Sequence, residues 1–148
     1  MALFSRSITI LEMIKCNNDD TIFKEYHYFG DGICLSDEHG HFIKAKTLWQ
    51  LGIPNPQEVD DWDLLQALKW IPNMDVHYIV IELDYKTVID AKCRAYLLSF
   101  QNSVVSYIRK QTNHVVHILV SASRSYANNH VFDYIPNYVY PIILKEMK

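Results

Sequence analysis

The sequence has no glycine-rich loop. Neither GxGxxG nor GK[ST] occurs in its 148 residues, so a nucleotide site would lack its usual backbone approach to the phosphates. Paired cysteines are also missing. Cys16, Cys34 and Cys93 make an odd count with no paired spacing, which argues against a disulfide framework and suits a reducing compartment. No apolar run approaches the roughly eighteen residues of a membrane span. The opening "MALFSRSITILEMIKC" is broken by Ser, Thr and Glu and makes a poor secretory leader, so a soluble cytoplasmic protein is expected. No basic cluster of nucleic-acid-binding density occurs, and neither nucleic acid nor membrane is expected as a partner.

What is present is a globular composition, 49% apolar and 21% charged, without repeat, linker or low-complexity stretch. One domain over residues 1–148 is expected. The net charge of -3 is uneven. Residues 1–75 hold 12 acids against 6 bases, and residues 76–148 hold 5 against 8. The densest acidic patch is "EVDDWD", with Glu58, Asp60, Asp61 and Asp63 around Trp62.

The first third reads as an antiparallel meander. "SITILEMIK" is a first strand closed by the turn signal "NNDD"; "TIFKEYHYF", "ICLS" and "HFIKAKTLW" follow, with Gly at the breaks. In "GIPNPQEVDDWDLLQALKWIPN", Asn55 caps a helix, Pro56 takes the first helical position and Glu58 completes a capping box. Pro72 ends that helix. "VHYIVIEL" reads as a strand buried on both faces. Residues 85–112 read as one long helix, with Thr87 and Asp90 at its start, and "VVHILVS" as a second buried strand. Strand, helix and strand make a βαβ unit with parallel strands. The expected fold class is therefore α/β or α+β: a mixed sheet, antiparallel at its N-terminal end, with a C-terminal βαβ unit and helices packed on it.

Candidate chemistry is thin. In "YFGDGICLSDEHGHF" the residues Cys34, His39 and His41, with His27 nearby, lack CxxC or HxxxH spacing, and "DEHG" suits a hairpin turn; no metal site is assigned. "PNMD" followed by "DYK" matches a nuclease-like pattern, but Asp75 and Asp84 bracket one strand, about 30 Å apart at ~3.3 Å per residue. Cys93 falls on an apolar stripe, and no catalytic residue or cofactor is assigned.

Two functional readings remain. The first is a protein-binding protein of immunity or antitoxin type, neutralising a basic, nuclease-like toxin through Glu58, Asp60, Asp61, Trp62 and Asp63. The second is a small-molecule or phosphate-binding enzyme. Its site would be Asp84 with Ser121, Ser123 and Arg124, at the carboxyl ends of two parallel strands, where an Asp84–Arg124 salt bridge is the plainer expectation. Tyr138 and Tyr140, on a tail punctuated by Pro136 and Pro141, offer an edge for a homodimer.

Overall fold

Period-two alternation in the N-terminal third builds three antiparallel strands: β1 (Leu11–Phe23), β2 (Tyr28–Ser36) and β3 (Phe42–Leu51). The computed structural model describes residues 11–71, 76–84, 89–100, 102–108, 114–126 and 128–134. Helix α1 (Pro56–Trp70) follows, then β4 (Val76–Asp84), α2 (Ala91–Ser99), β5 (Ser103–Ile108), α3 (His114–Ser121) and β6 (Asn129–Phe132). They form a six-stranded mixed sheet in the order β5-β4-β1-β2-β3-β6. β4 runs parallel to β1 and β5 parallel to β4, whereas β6 is antiparallel to β3. The fold is thus the expected mixed α/β sheet with helices packed on it.

Alternate residues of a strand point to opposite faces, and the two faces are covered differently. On one, Ile14 and Cys16 of β1, Ile33 and Leu35 of β2, and Ile79, Ile81 and Leu83 of β4 pack beneath α1 and α2, meeting Leu64, Ala67, Leu68 and Cys93. Each fully buried Leu or Ile here stabilises the fold by about 1.5–3 kcal/mol. On the other face lie Ala45, Leu119 and Phe132. There α3 approaches so closely that a Cβ on Gly32 would stand 2.9 Å from the Val116 carbonyl oxygen.

Helix α1 starts as read from the sequence. The Asn55 side chain accepts from the Glu58 N–H at 2.9 Å, and the Glu58 carboxylate accepts from the Asn55 N–H at 3.2 Å. Elsewhere the chain departs from expectation. "NNDD" (residues 17–20) is no turn but the centre of β1, paired through to β2. The reversal comes later, at the 3₁₀ turn Lys24–Tyr26 and at His27, whose φ of 56° is left-handed. The long helix expected over 85–112 is the short α2, capped by Asp90 accepting from the Cys93 N–H at 2.8 Å, followed by β5. The βαβ unit therefore exists, but β5 is its second strand.

"VVHILVS" is helix α3 instead of a strand. Val116, Leu119 and Val120 are buried while His117 and Ser121 are exposed, which is helical spacing. Pro72, Asp75, Thr87, Pro136, Tyr138, Tyr140 and Pro141 lie outside the described residues. Among the described residues no helix is long and apolar enough to cross a membrane.

Candidate active site

The four residues of "NNDD" alternate across the sheet, so the centre of β1 offers an amide and a carboxylate to each face. Asn17 and Asp19 face α3; Asn18 and Asp20 face α1. A polar run in a central strand works against the burial that normally stabilises such a strand, and departures of this kind mark functional sites.

On the α3 face, the Asn17 side-chain amide donates to the Glu82 carboxylate of β4 at 2.8 Å. Asp19 is buried, and its carboxylate lies 3.2 Å from the His117 Nδ1 of α3. The His117 side chain is largely exposed to solvent.

On the α1 face four carboxylates meet. Asp20 stands directly across the ladder from Asp31 of β2. It also touches Asp60 and Asp63 of α1, and Asp63 in turn touches Asp31 and receives a hydrogen bond from the Asn18 amide. Asp31 is fully buried, and among the described residues no N–H or hydroxyl meets either of its carboxylate oxygens or the Asp63 Oδ1; only the Asp63 carboxyl, when protonated, can donate to Asp31. Burial, reinforced by the neighbouring carboxylates, pushes Asp31 and Asp63 well above the ordinary range and Asp20 up to about 10. Lys46 of β3 partly offsets the charge on Asp31. Its ammonium lies 5.5 Å from the Trp70 ring centroid. Cys16, on this same face, is no nucleophile: burial first, then Asp63 and Asp31, push its thiol upwards.

An unshielded contact between buried carboxylates persists only if something neutralises it, either a shared proton or a cation. Oxygen-only donors suit a hard divalent ion. The carboxylates meet in pairs: among the described residues no three His, Cys, Asp or Glu side chains already ring a single point.

The residues singled out in the sequence are distributed as follows. Glu58 is exposed and spent in the capping box. Asp61 accepts from the Gln57 amide at 2.9 Å. Trp62 is half-buried, edge-on to Phe29 with centroids 4.9 Å apart. Asp63 is buried, while Asp60 reaches Asp20. The five do not form one exposed acidic face.

Of the second group, the Ser121 hydroxyl donates to the His117 carbonyl at 2.9 Å, Ser123 is fully buried and Arg124 is exposed. Arg124 lies over Tyr28 of β2 and Trp49 of β3, whereas Asp84 ends β4 on the far side of β1. Their expected pairing at two adjacent parallel strands does not occur, because residues 115–121 are helical. His39 and His41 are exposed on a turn held by the Asp37 carboxylate, which accepts from both of their N–H groups. His27 precedes β2, at its opposite end.

Sequence reasoning missed Asp19, Asp20, Asp31, Glu82 and His117. The available signal was an acid-amide run inside a β-branched and aromatic stretch, which turn chemistry explained equally well.

No family model and no curated protein matches the chain. Solved structures do match in fold. RNase H1 from the halophilic archaeon Halobacterium salinarum NRC-1 superposes with a TM-score of 0.65 at 14% identity, over 78% of this chain and 99% of that one. LC11-RNase H1 in complex with an RNA/DNA hybrid gives 0.57 at 14%, over 74% and 95%. The foamy viral protease-reverse transcriptase in complex with dsDNA gives 0.54 at 13%, over 80% and 99%. The architecture is an RNase H-like fold.

These neighbours overturn the expectation of an immunity- or antitoxin-type inhibitor, since these three structures of the same fold are two RNases H1 and a protease-reverse transcriptase. They likewise correct the exclusion of nucleic acid in favour of a protein partner, because two of them hold an RNA/DNA hybrid or dsDNA.

Proposed function

We propose that this protein is a nuclease-like enzyme acting on a nucleic-acid backbone at the carboxylate-rich centre of β1. The observation that carries the reading is the contact among half-buried Asp20 and buried Asp31 and Asp63 in the middle of an RNase H-like sheet, with both Asp31 oxygens and the Asp63 Oδ1 unpartnered among the described residues. The nucleic acids held by neighbours of the same fold support it.

The orphaned oxygens of Asp31 and Asp63 fit a divalent cation in donor chemistry, so this pair would hold one, with Asp20 beside it. When bound it would polarise a phosphoryl oxygen and lower the pKa of an attacking water. The chain's own groups do the rest. Asn18 orients Asp63, and half-buried Asp20 and Asp60 present the accessible edge of the cluster. On the opposite face, buried Asp19 holds the largely exposed His117 imidazole at its Nδ1.

The test is hydrolysis of end-labelled RNA/DNA hybrid, dsDNA and single-stranded RNA in Mg²⁺ or Mn²⁺. Wild-type protein is expected to cut at least one of them. Asp20→Asn and Asp63→Asn should lose on the order of 100-fold or more, the scale of removing a group that positions transition-state charge stabilisation. Folded wild-type protein that leaves all three intact would refute the reading.

A further inference from the structure

Arg124 has the geometry of a preset anion site. Its guanidinium carbon lies 4.9 Å from the Tyr28 ring centroid and 5.4 Å from that of Trp49. Both rings are themselves fixed. Tyr28 is stacked on its neighbour Phe23 at 4.5 Å, and the Trp49 indole N–H donates to the Tyr126 carbonyl at 3.1 Å. The turn that carries Arg124 is pinned by buried Ser123, by the Ser125 N–H donating to the Ala122 carbonyl at 3.0 Å, and by the Tyr126 N–H donating to the Ser123 carbonyl at 3.2 Å.

The side chain is exposed, and among the described residues no carboxylate or hydrogen-bond acceptor engages its guanidinium. A planar cation has thus been oriented on two aromatic faces, with its donors unspent among the described residues. Arginine is suited to this role: the flat fork stacks on rings and still offers paired N–H groups to a phosphate. Tyr26, 63% exposed and 6.4 Å from Tyr28, extends the aromatic surface outwards.

The platform lies on the α3 face of the sheet, the face of Asp19 and His117, opposite the α1 face on which Asp20, Asp31 and Asp63 meet. Phe23, Thr21 and Asp19 share one face of β1, and Phe23 is the register partner of Tyr28. Four residues of strand place the platform roughly 13 Å from Asp19. That is about four steps of a nucleic-acid strand at ~3.4 Å each. We infer that Arg124, held on Tyr28 and Trp49, binds a backbone phosphate of the nucleic acid. This rests on the nucleic-acid reading above, and it makes Arg124 a positioning residue outside the carboxylate cluster.

The experiment is fluorescence anisotropy of a labelled RNA/DNA hybrid in EDTA, across about 50–200 mM salt, with cleavage in Mg²⁺ followed in parallel. In Arg124→Ala the slope of log K against log salt should shrink by about 0.9, the share of one phosphate contact. Arg124→Gln keeps a planar group over the rings without the charge and should lose the same slope at an unchanged melting temperature. Unchanged slope and affinity in both variants, with hybrid still cut, would overturn the inference and leave the nuclease reading standing. A slope lost in both variants beside a wild-type protein that binds hybrid but cuts nothing would do the reverse. Wild-type protein that binds no hybrid would sink both.

Discussion

Asp20 of β1 and Asp31 of β2 face each other directly across the antiparallel ladder, on the side covered by α1. Like charges at such a pair are destabilising, and here Asp63 brings a third carboxylate onto them. Replacing Asp31 by Asn removes a carboxyl that stays neutral only by holding a proton and supplies amide donors to a cluster that has too few. We expect Asp31→Asn to stabilise the fold at neutral pH by about 1–3 kcal/mol, the range for relieving an unsatisfied buried polar group, while reducing cleavage. Urea unfolding at pH 7 checks it. A loss of stability would mean that the Asp31 carboxylate is already neutralised by something its substitute cannot replace.

The same cluster sets a pH dependence. Burial first, then Asp63 and Asp60, raise Asp20 from 3.8 to about 10, and Asp31 and Asp63 are raised for similar reasons. A carboxyl whose folded pKa is raised contributes stability that is complete below its unfolded value and is lost as pH climbs through the folded one. Asp37 and Asp90, whose pKa values are lowered, act in the opposite sense, but only below about pH 4. Unfolding free energy should therefore fall from pH 5 to pH 8, and Asp63→Asn should flatten that fall. A wild-type profile that rises over this range contradicts the packed, proton-holding cluster.

The local features were the legible ones. The Asn55–Glu58 capping box depends only on neighbours three apart, and the buried run of β4 declares itself by composition. Together with the N-terminal alternation they define the mixed sheet. The site was hidden because its meaning is tertiary. "NNDD" has the chemistry of a turn, and only the pairing of β1 with both β2 and β4 makes it a strand centre. Asp63 belongs to an acidic helix that looks solvated until Asp31 and Asp20 are placed beneath it. Val116, Leu119 and Val120 belong to an apolar run too short for periodicity to separate strand from helix. β5 was absorbed into a helix because Val104 and Ile108 continue a stripe begun in α2.

The capping box offers a test of what α1 contributes. Asn55→Ala removes the acceptor for the Glu58 N–H and leaves that donor to water. A cost of about 1 kcal/mol, within the range for such caps, is expected in thermal melts. A cost near zero would show that Pro56 and the packing of the helix are enough to hold its first turn.

Gly32 tests the seating of α3. A Cβ there would stand 2.9 Å from the Val116 carbonyl oxygen and 3.1 Å from the Val120 nitrogen, both backbone atoms that yield only if the helix moves. Gly32→Ala should destabilise by about 1–3 kcal/mol, as overpacking does. It should also draw His117 away from Asp19, a change visible in the imidazole resonances of an NMR spectrum. An alanine variant with wild-type stability and unshifted His117 signals would mean that α3 sits further from the sheet than described.

The divalent cation provides the sharpest separation between the two ways of neutralising Asp20, Asp31 and Asp63. If a cation replaces the shared protons, Mg²⁺ or Mn²⁺ binds only the folded state. It then raises stability by RT ln(1 + [L]/Kd), about 2.7 kcal/mol at a hundredfold excess over Kd. Protons compete for the same oxygens, so the gain should be larger at pH 8 than at pH 5, opposing the decline that the raised carboxyls otherwise impose. Asp20→Asn and Asp63→Asn should each diminish it, and EDTA should abolish it. Thermal melts at the two pH values decide the matter. A melting temperature indifferent to cation at pH 8 would leave the cluster as proton-sharing acids and would remove the chemical basis for hydrolysis at this site.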